Sequence, residues 1–425
     1  MTRTGIVDLF SGAGGLSEGF RQAGFDTLAG SDIDPDACAT YALNFPEAAA
    51  ILGDIREPSV RGQVLDSARG ARVVVGGPPC QAFSQVRNHV RVIEDPRNSL
   101  YREFVSVVTT LLPDAFVMEN VPGLEQMGVK EQVLEDLTLE GEYCVQAQVV
   151  DAANFGVPQA RKRIVFIGFR RSLKRQPPLL EASGATRFLG LVRRNGSLPI
   201  WYEPEGQGED DAARSWFKRL SDPEDVALVS AEQAIGDLAH LKAGMRADEL
   251  GVSDLPPPVS AYQRLMREGL ADVITNVSVP RINADTVLRL GGIPEGGNHR
   301  DLPDELRNRY LTGERWGPDA GTGKLSRRHY YAYRRLHPAF WSWTLNTKAD
   351  SVYHYHAARA LSVREFARLQ SFPDRFTFAT DPCRGPLPGR IDGGAAHSRY
   401  RQVGNAVPPR LAAAIASAIG NALAA

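Results

Sequence analysis

Four side chains of this sequence could together run nucleophilic chemistry. Cys80 stands behind two prolines in Gly76-Gly77-Pro78-Pro79-Cys80-Gln81. Glu119 opens Glu119-Asn120-Val121-Pro122-Gly123, and Arg161 and Arg163 sit in Gln159-Ala160-Arg161-Lys162-Arg163. A thiolate is a strong nucleophile. A partly desolvated carboxyl group can stay protonated and donate a hydrogen bond. Two guanidinium groups two positions apart share one face of an extended segment. Each has a plainer reading. Cysteine is often a small buried hydrophobe, Glu119 could cap the next helix, and paired charges can blunt an edge strand. Yet the prolines fix the backbone ahead of Cys80, and a core cysteine needs no such stiff presentation.

The elements that must position these groups are short apolar strands. Val73-Val74-Val75 precedes the Cys80 turn, Ala115–Met118 precedes Glu119, and Ile164–Phe169 follows the arginines. Gly5–Phe10 and Thr27–Ser31 also read as strands, while Leu16–Ala23, Pro35–Leu43 and Leu100–Leu112 carry helical spacing. Alternation of this kind predicts an α/β fold with a doubly wound, mostly parallel sheet. Ligands of such sheets bind at the carboxyl ends of the strands, so a thiol, a carboxyl and two guanidiniums converge on one end of one sheet.

The same end carries a glycine-rich turn, Ser11-Gly12-Ala13-Gly14-Gly15, between a strand and a helix. Glycines there let a ligand approach the backbone. The dinucleotide fingerprint is incomplete, because Ser17 stands at its third glycine position. Asp32 lies where an acid would hold ribose hydroxyls, and Asp8 and Asp54 are expected at the edges of the same crevice. Three acids suit an adenosyl ligand with a cationic head better than a pyrophosphate. A tight strand-to-helix turn with surface acids remains open, as does a nicotinamide dehydrogenase.

The chain has 425 residues, 43% hydrophobic and 23% charged, room for about two to three domains. No apolar run reaches the roughly 18 residues of a membrane span, and the N-terminus passes straight into a strand without a signal peptide. Cys38, Cys80, Cys144 and Cys383 form no Cys-x-x-Cys pair, which argues against a zinc site or a disulfide framework and suits a reducing cytoplasm. Net charge is −1, but its distribution is uneven. Residues 154–200 hold ten Lys/Arg and one acid, 203–254 hold five bases and thirteen acids, and 320–349 hold six bases and no acid. Aromatics interleave with those six bases, a mixture suited to phosphate contact and base stacking, or to a solvated basic face over an aromatic core. Residues 171–358 are rich in Pro, Gly and charge and are expected to form a separate irregular domain. Helical periodicity returns from Leu361, and an Ala-rich helix is expected over Arg410–Leu423.

The ordered motifs carry a family resemblance. Asp8-Leu9-Phe10-Ser11-Gly12-Ala13-Gly14-Gly15, Pro78-Pro79-Cys80-Gln81, Glu119-Asn120-Val121 and Gln159-x-Arg161-x-Arg163 are followed by Arg359-x-Leu361-Ser362-x-Arg364-Glu365 and Gln402-Val403-Gly404-Asn405-Ala406-Val407-Pro408-Pro409. This set resembles the DNA (cytosine-5)-methyltransferases of bacterial restriction–modification type, which use S-adenosylmethionine. It spans about residues 5–170 and 359–425.

The resemblance implies a Rossmann-like catalytic domain from residues 1–170 and 359–425, with a target-recognition domain, 171–358, inserted. The segment from Gln402 and the terminal helix should pack on the first strand and first helix. Cys80 would attack C6 of the target cytosine, Glu119 would engage N3, Arg163 the O2 edge, and Arg161 would support the loop. Phe10, Gly12, Gly14, Gly15, Leu16, Asp32, Ile33, Asp54, Ile55 and Pro79 would form the adenosyl pocket, with Leu100, Asn405 and Ala406 closing the methionine end. Gln81, Ser84 and Gln85 would belong to a loop, Gln81 to His89, closing over a cytosine swung out of the duplex, and Arg97 would also contact DNA. Arg300, Arg327, Arg328, Tyr330, Arg334 and Arg335 are expected to meet DNA, Arg favouring guanine edges. A metal is not expected. The implied partner is double-stranded DNA, with a cognate restriction endonuclease acting on the same site without binding this chain. The protein is expected to be a monomer, cytoplasmic and nucleoid-associated. Two alternatives are methylation of tRNA and a non-catalytic DNA-binding homologue.

Overall fold

A computed structural model describes residues 4–79, 99–126, 129–183, 219–220, 222–306, 333–381 and 394–425. Seven strands form one sheet: β1 (Gly5–Leu9), β2 (Asp26–Asp32), β3 (Ala49–Leu52), β4 (Ala71–Gly76), β5 (Ala115–Asn120), β6 (Tyr143–Asp151) and β7 (Lys162–Arg170). Their order is β3-β2-β1-β4-β5-β7-β6, parallel except that β7 runs antiparallel to both its neighbours. The central strands are continuous apolar runs because helices cover both faces. The sheet matches the doubly wound expectation and adds β3 and β6, which the sequence reading passed over.

Helices α1 (Gly15–Gln22), α2 (Pro35–Asn44), α3 (Pro58–Ser67), α4 (Ser99–Leu111), α5 (Gly123–Gln126) and α6 (Lys130–Leu137) fill the crossovers. On one face Val7, Leu9 and Val74 pack with Val64, Phe104, Phe116 and Tyr143. On the other, Ile6, Val73, Val75 and Val117 pack with Leu16 and Phe20 of α1 and with Leu411, Ile415 and Ile419 of the terminal helix. Each such buried side chain contributes about 1.5–3 kcal/mol of transfer free energy. The chain's two ends are thereby joined, as the resemblance implied.

The inserted region contributes α7 (Ala231–Ile235), the two-stranded sheet β8 (Glu249–Gly251) and β9 (Val273–Thr275), α8 (Ala261–Met266) and α9 (Ala284–Gly291). The chain returns through α10 (Val363–Leu369), α11 (Gly394–Asn405) and α12 (Pro409–Ala424). The insert does not keep its core to itself. Ile235, Tyr262, Met266, Leu336, Val352 and Tyr355 share one cluster with Tyr41 and Phe45 of α2 and with Phe366, Tyr400 and Val403.

Three buried arginines bind that junction. Arg359 pairs with Glu365 at 2.8 Å, and Arg368 pairs with Asp237 at 2.5 Å and Asp374 at 2.7 Å. Arg364 donates to the carbonyls of Thr275, Pro373 and Phe376. Burial alone would raise the Glu365 pKa, but the Arg359 charge and its hydrogen bonds outweigh it and hold the carboxyl low. Ser362 and Glu365 also form the reciprocal cap of α10. Some acids of the 203–254 segment are thus structural: Asp237 receives Arg368 and Arg267, and Asp248 receives Arg399.

Candidate functional site

At the carboxyl end of β1 the backbone reverses through Phe10, which adopts a left-handed conformation (φ 57°) that few non-glycine residues take. Gly14 (φ 94°) caps α1, and a Cβ there would meet the Phe45 ring at 2.5 Å. Gly14 therefore shapes the turn and, unlike the other expected cofactor residues, does not line the cavity below. The Gly12 N–H donates to Asp32 Oδ2 and the Asp34 N–H to Asp32 Oδ1, both at 2.8 Å. Burial nonetheless raises the Asp32 pKa above the usual carboxylate value.

Asp8 is corrected by the structure. Instead of edging the crevice it is buried under α1, where Oδ2 accepts the Ser17 hydroxyl at 2.7 Å and the Ser17 N–H at 3.2 Å. Ser17 in turn touches the Tyr41 hydroxyl at 2.8 Å. This explains a serine at the third glycine position. Desolvation, partly offset by the Ser17 bonds, pushes the Asp8 carboxyl up to about 7.

A cavity of about 720 Å³ opens over this end of the sheet. Phe10, Gly12, Gly15, Leu16, Asp32, Ile33, Asp54, Ile55, Pro79, Leu100, Asn405 and Ala406 line it, and so do Glu119, Arg161 and Arg163. Twelve of the thirteen expected cofactor residues and three of the four expected catalytic residues therefore share one space. Ile33 is 64% exposed, an apolar side chain standing free at the mouth. Asp54 is paired with Arg56, whose hydrogen bonds hold its carboxyl below the usual range. Arg401 of α11 bridges to Asp34 at 2.5 Å across the rim.

On the opposite wall, Arg163 Nε meets Glu119 Oε1 at 2.6 Å, both side chains largely buried. The antiparallel β5–β7 pairing makes this possible by bringing the start of β7 beside the end of β5. Asn120 then donates its amide to the Pro78 carbonyl at 3.0 Å, tying the proline turn to β5. Arg161 is 2% exposed and spends its guanidinium on the carbonyls of Leu345 (3.2 Å) and Gly404 (2.8 Å). Its burial drives its pKa well below the free arginine value. Strand β7 begins at Lys162, so Arg161 lies just outside it.

Sequence reading missed Asn120 as the holder of the turn, and missed Thr344, Asn346 and Thr347 on the cavity wall. Thr344 and Asn346 flank buried Leu345 in strict alternation, a period-two signal that could have marked an extended wall. Among the expected DNA contacts, Arg335 is corrected. Its guanidinium donates to the carbonyls of Leu290, Ile293, Tyr355 and His356, so it braces the insert instead of presenting itself to a base. Arg334 lies over the Trp343 ring at 5.6 Å. Arg300 is exposed on a short turn capped by Asn298, and this loop adjoins the basic stretch through Arg335 N–H to Gly297 O at 2.9 Å. Cys80, Gln81, Ser84, Gln85, Arg97, Arg327, Arg328 and Tyr330 lie outside the described residues. Pro79, immediately before Cys80, lines the cavity. No group of three or more His, Cys, Asp or Glu side chains among the described residues could hold a metal. No described helix is long and apolar enough to cross a membrane.

The family model for C-5 cytosine-specific DNA methylases matches residues 4–199 and 293–421. Type II methyltransferase M1.HphI of Haemophilus parahaemolyticus is 32% identical over 97% of this chain and 86% of its own. The DNA (cytosine-5-)-methyltransferase M.ApeKI of Aeropyrum pernix is 29% identical over 100% and 99%. A solved chain from an E. coli prophage shares the fold at a TM-score of 0.65 and 23% identity, covering 99% of this chain and 100% of that one. With the family model covering most of the sequence and both walls of the cavity, the chain belongs to the C-5 cytosine-specific DNA methylase family.

Proposed function

We propose that this protein transfers a methyl group from S-adenosylmethionine to C5 of a cytosine in a specific double-stranded DNA sequence, with Cys80 as nucleophile. The observation that carries the reading is the shared cavity. Glu119 bonded to Arg163 faces the same space as Asp32, Phe10 and Asn405, and the turn that delivers Cys80 opens onto it.

The residues fit the cofactor. A Cβ on Gly12 would meet nothing within 4 Å, leaving an open cradle beside the Asp32 carboxylate. Ile33 offers an apolar face beside Asp32, while Asp34 and Asp54 on the rim are paired with Arg401 and Arg56. Ile33, Asp32 and Asp54 would hold the nucleoside end, with Asn405, Ala406 and Leu100 closing the other. When bound, S-adenosylmethionine supplies an electrophilic methyl group.

Unactivated C5 of cytosine is a poor nucleophile. The Cys80 thiolate forms a bond to C6, and the displaced electron pair makes C5 nucleophilic while charge spreads to N3 and O2. Glu119 donates a proton to N3 and Arg163 holds the O2 edge, so both meet the developing negative charge. After C5 has taken the methyl group, its proton passes to water or hydroxide, the C5–C6 double bond reforms, and the S–C6 bond breaks to release Cys80. A stacked base is out of reach of a thiol in a cavity, so the cytosine is extruded first, at a few kcal/mol of unstacking. The type II names of the relatives support a role beside a restriction endonuclease that acts on the same site.

The test uses an oligonucleotide duplex carrying 5-fluorocytosine at the target position, which blocks loss of the C5 substituent. With S-adenosylmethionine it should become covalently attached to the wild-type protein and not to Cys80→Ala. The target itself comes from bisulfite sequencing of DNA from expressing cells. No attachment, or tritium transfer to tRNA but not to duplex DNA, would overturn the reading.

A further inference from the structure

One buried hydrogen-bond system joins the two walls of the cavity without touching the reacting groups. Leu345 has its N–H and its C=O both held by side chains. The N–H donates to Gln159 Oε1 at 2.9 Å, and the C=O accepts from Arg161 at 3.2 Å. Each of those side chains has a second arm. Arg161 reaches the Gly404 carbonyl at 2.8 Å. Gln159 Nε2 donates to Gln370 Oε1 at 2.5 Å, and Gln370 Nε2 donates to the carbonyls of Val403 (2.8 Å) and Ala406 (3.1 Å).

The segment around Leu345 comes from the insert and includes the cavity residues Thr344 and Asn346, while Gly404–Ala406 is the wall assigned to the cofactor. The walls touch at Gly404, where a Cβ would stand 2.1 Å from the Asn346 carbonyl oxygen. Gln159, Leu345, Gln370 and Val403 are all buried. A buried amide that loses its partner costs about 1–3 kcal/mol, so a shift of one wall must draw the other with it or leave such a group stranded.

We infer that Gln370, acting through Gln159, is a positioning residue that couples the cofactor wall to the recognition wall, so that occupancy by cofactor tightens the hold on target DNA. This rests on the methyltransferase reading above. The amide pair is the joint because it is the contact at which one arm can be cut while the other is kept. Gln370→Glu keeps the acceptor for Gln159 and loses the donor to Val403 and Ala406. Gln159→Glu keeps the acceptor for Leu345 and loses the donor to Gln370 and to the Leu369 carbonyl.

The experiment measures, by fluorescence anisotropy, the Kd for a duplex carrying the bisulfite-mapped target, with and without S-adenosylhomocysteine. Wild-type protein should bind at least about fivefold tighter with the cofactor product present, within the ordinary range of site-to-site coupling. In each variant that ratio should fall below about twofold, with thermal unfolding confirming that the protein is folded. If one variant fails to fold, the other decides. A merely structural role would weaken binding equally in both conditions, and an unchanged ratio would overturn the inference, as would a wild-type ratio of one. Failure of the methyltransferase reading itself would show separately, as absent methyl transfer by the wild-type protein.

Discussion

Two regions of this molecule join arginine to carboxylate, and they do opposite work. Arg163 and Glu119 meet on the wall of an open cavity, and both side chains line that space. Arg368 with Asp237 and Asp374, and Arg359 with Glu365, are sealed from solvent and bonded to each other inside the protein. What separates the two regions is whether the pair faces a space that something outside the chain can enter. Buried ion pairs contribute little net stability once desolvation is counted, yet removing one partner is severe. The sealed region acts as a lock on the junction between insert and catalytic sheet.

Three substitutions would break or sharpen that contrast. Glu119→Gln should lower the single-turnover rate by about 10²–10⁴-fold, the span of one acid–base group, with little change in unfolding temperature. A comparable loss of stability with activity retained would place Glu119 with the lock. Arg368→Met should do the reverse, costing about 3–5 kcal/mol because Asp237 and Asp374 are left buried without their cation. Urea denaturation read by circular dichroism would check it, and the rate per folded molecule should hold.

Asp8 provides a subtler test, since it is sealed like the lock but lies beneath the cofactor turn. Its folded pKa of about 7 exceeds the ordinary aspartate value of 3.8, so between those values the native state binds more protons than the unfolded chain. Stability should therefore fall as pH rises from about 4 through 7 and level off above, by up to a few kcal/mol. Asp8→Asn removes that titration. The difference between wild-type and variant urea midpoints from pH 5 to 8.5 should show the slope, and a difference independent of pH would refute the assignment.

The sequence was most legible where the chemistry is local. Strands β1, β4 and β5 carry the apolar stretches Ile6-Val7, Val73–Val75 and Ala115–Met118, and the glycine turn, the proline turn and Glu119 follow from their ends. Strand β3 was missed because Ala49–Leu52 is short and half exposed at the sheet's edge. Strand β6 was missed because Gln146 and Gln148 interrupt its pattern, their amides being used on the Pro178 and Leu180 carbonyls. The insert was least legible. Arg335, which looks like a DNA contact, finds its partners in carbonyls far along the chain, and no spacing rule reveals that. Asp8 misled for the same reason: its acid reads as a ligand for the crevice, while its role depends on a helix folding over it.

The packing of α12 on α1 has a consequence for how the molecule comes to life. During synthesis, the apolar flank made by Leu16 and Phe20 is made long before Leu411, Ile415 and Ile419, the residues that cover it. At roughly 5–20 residues per second, that flank waits on the order of tens of seconds for its cover. The nascent chain thus carries an uncovered apolar flank until α12 has been made.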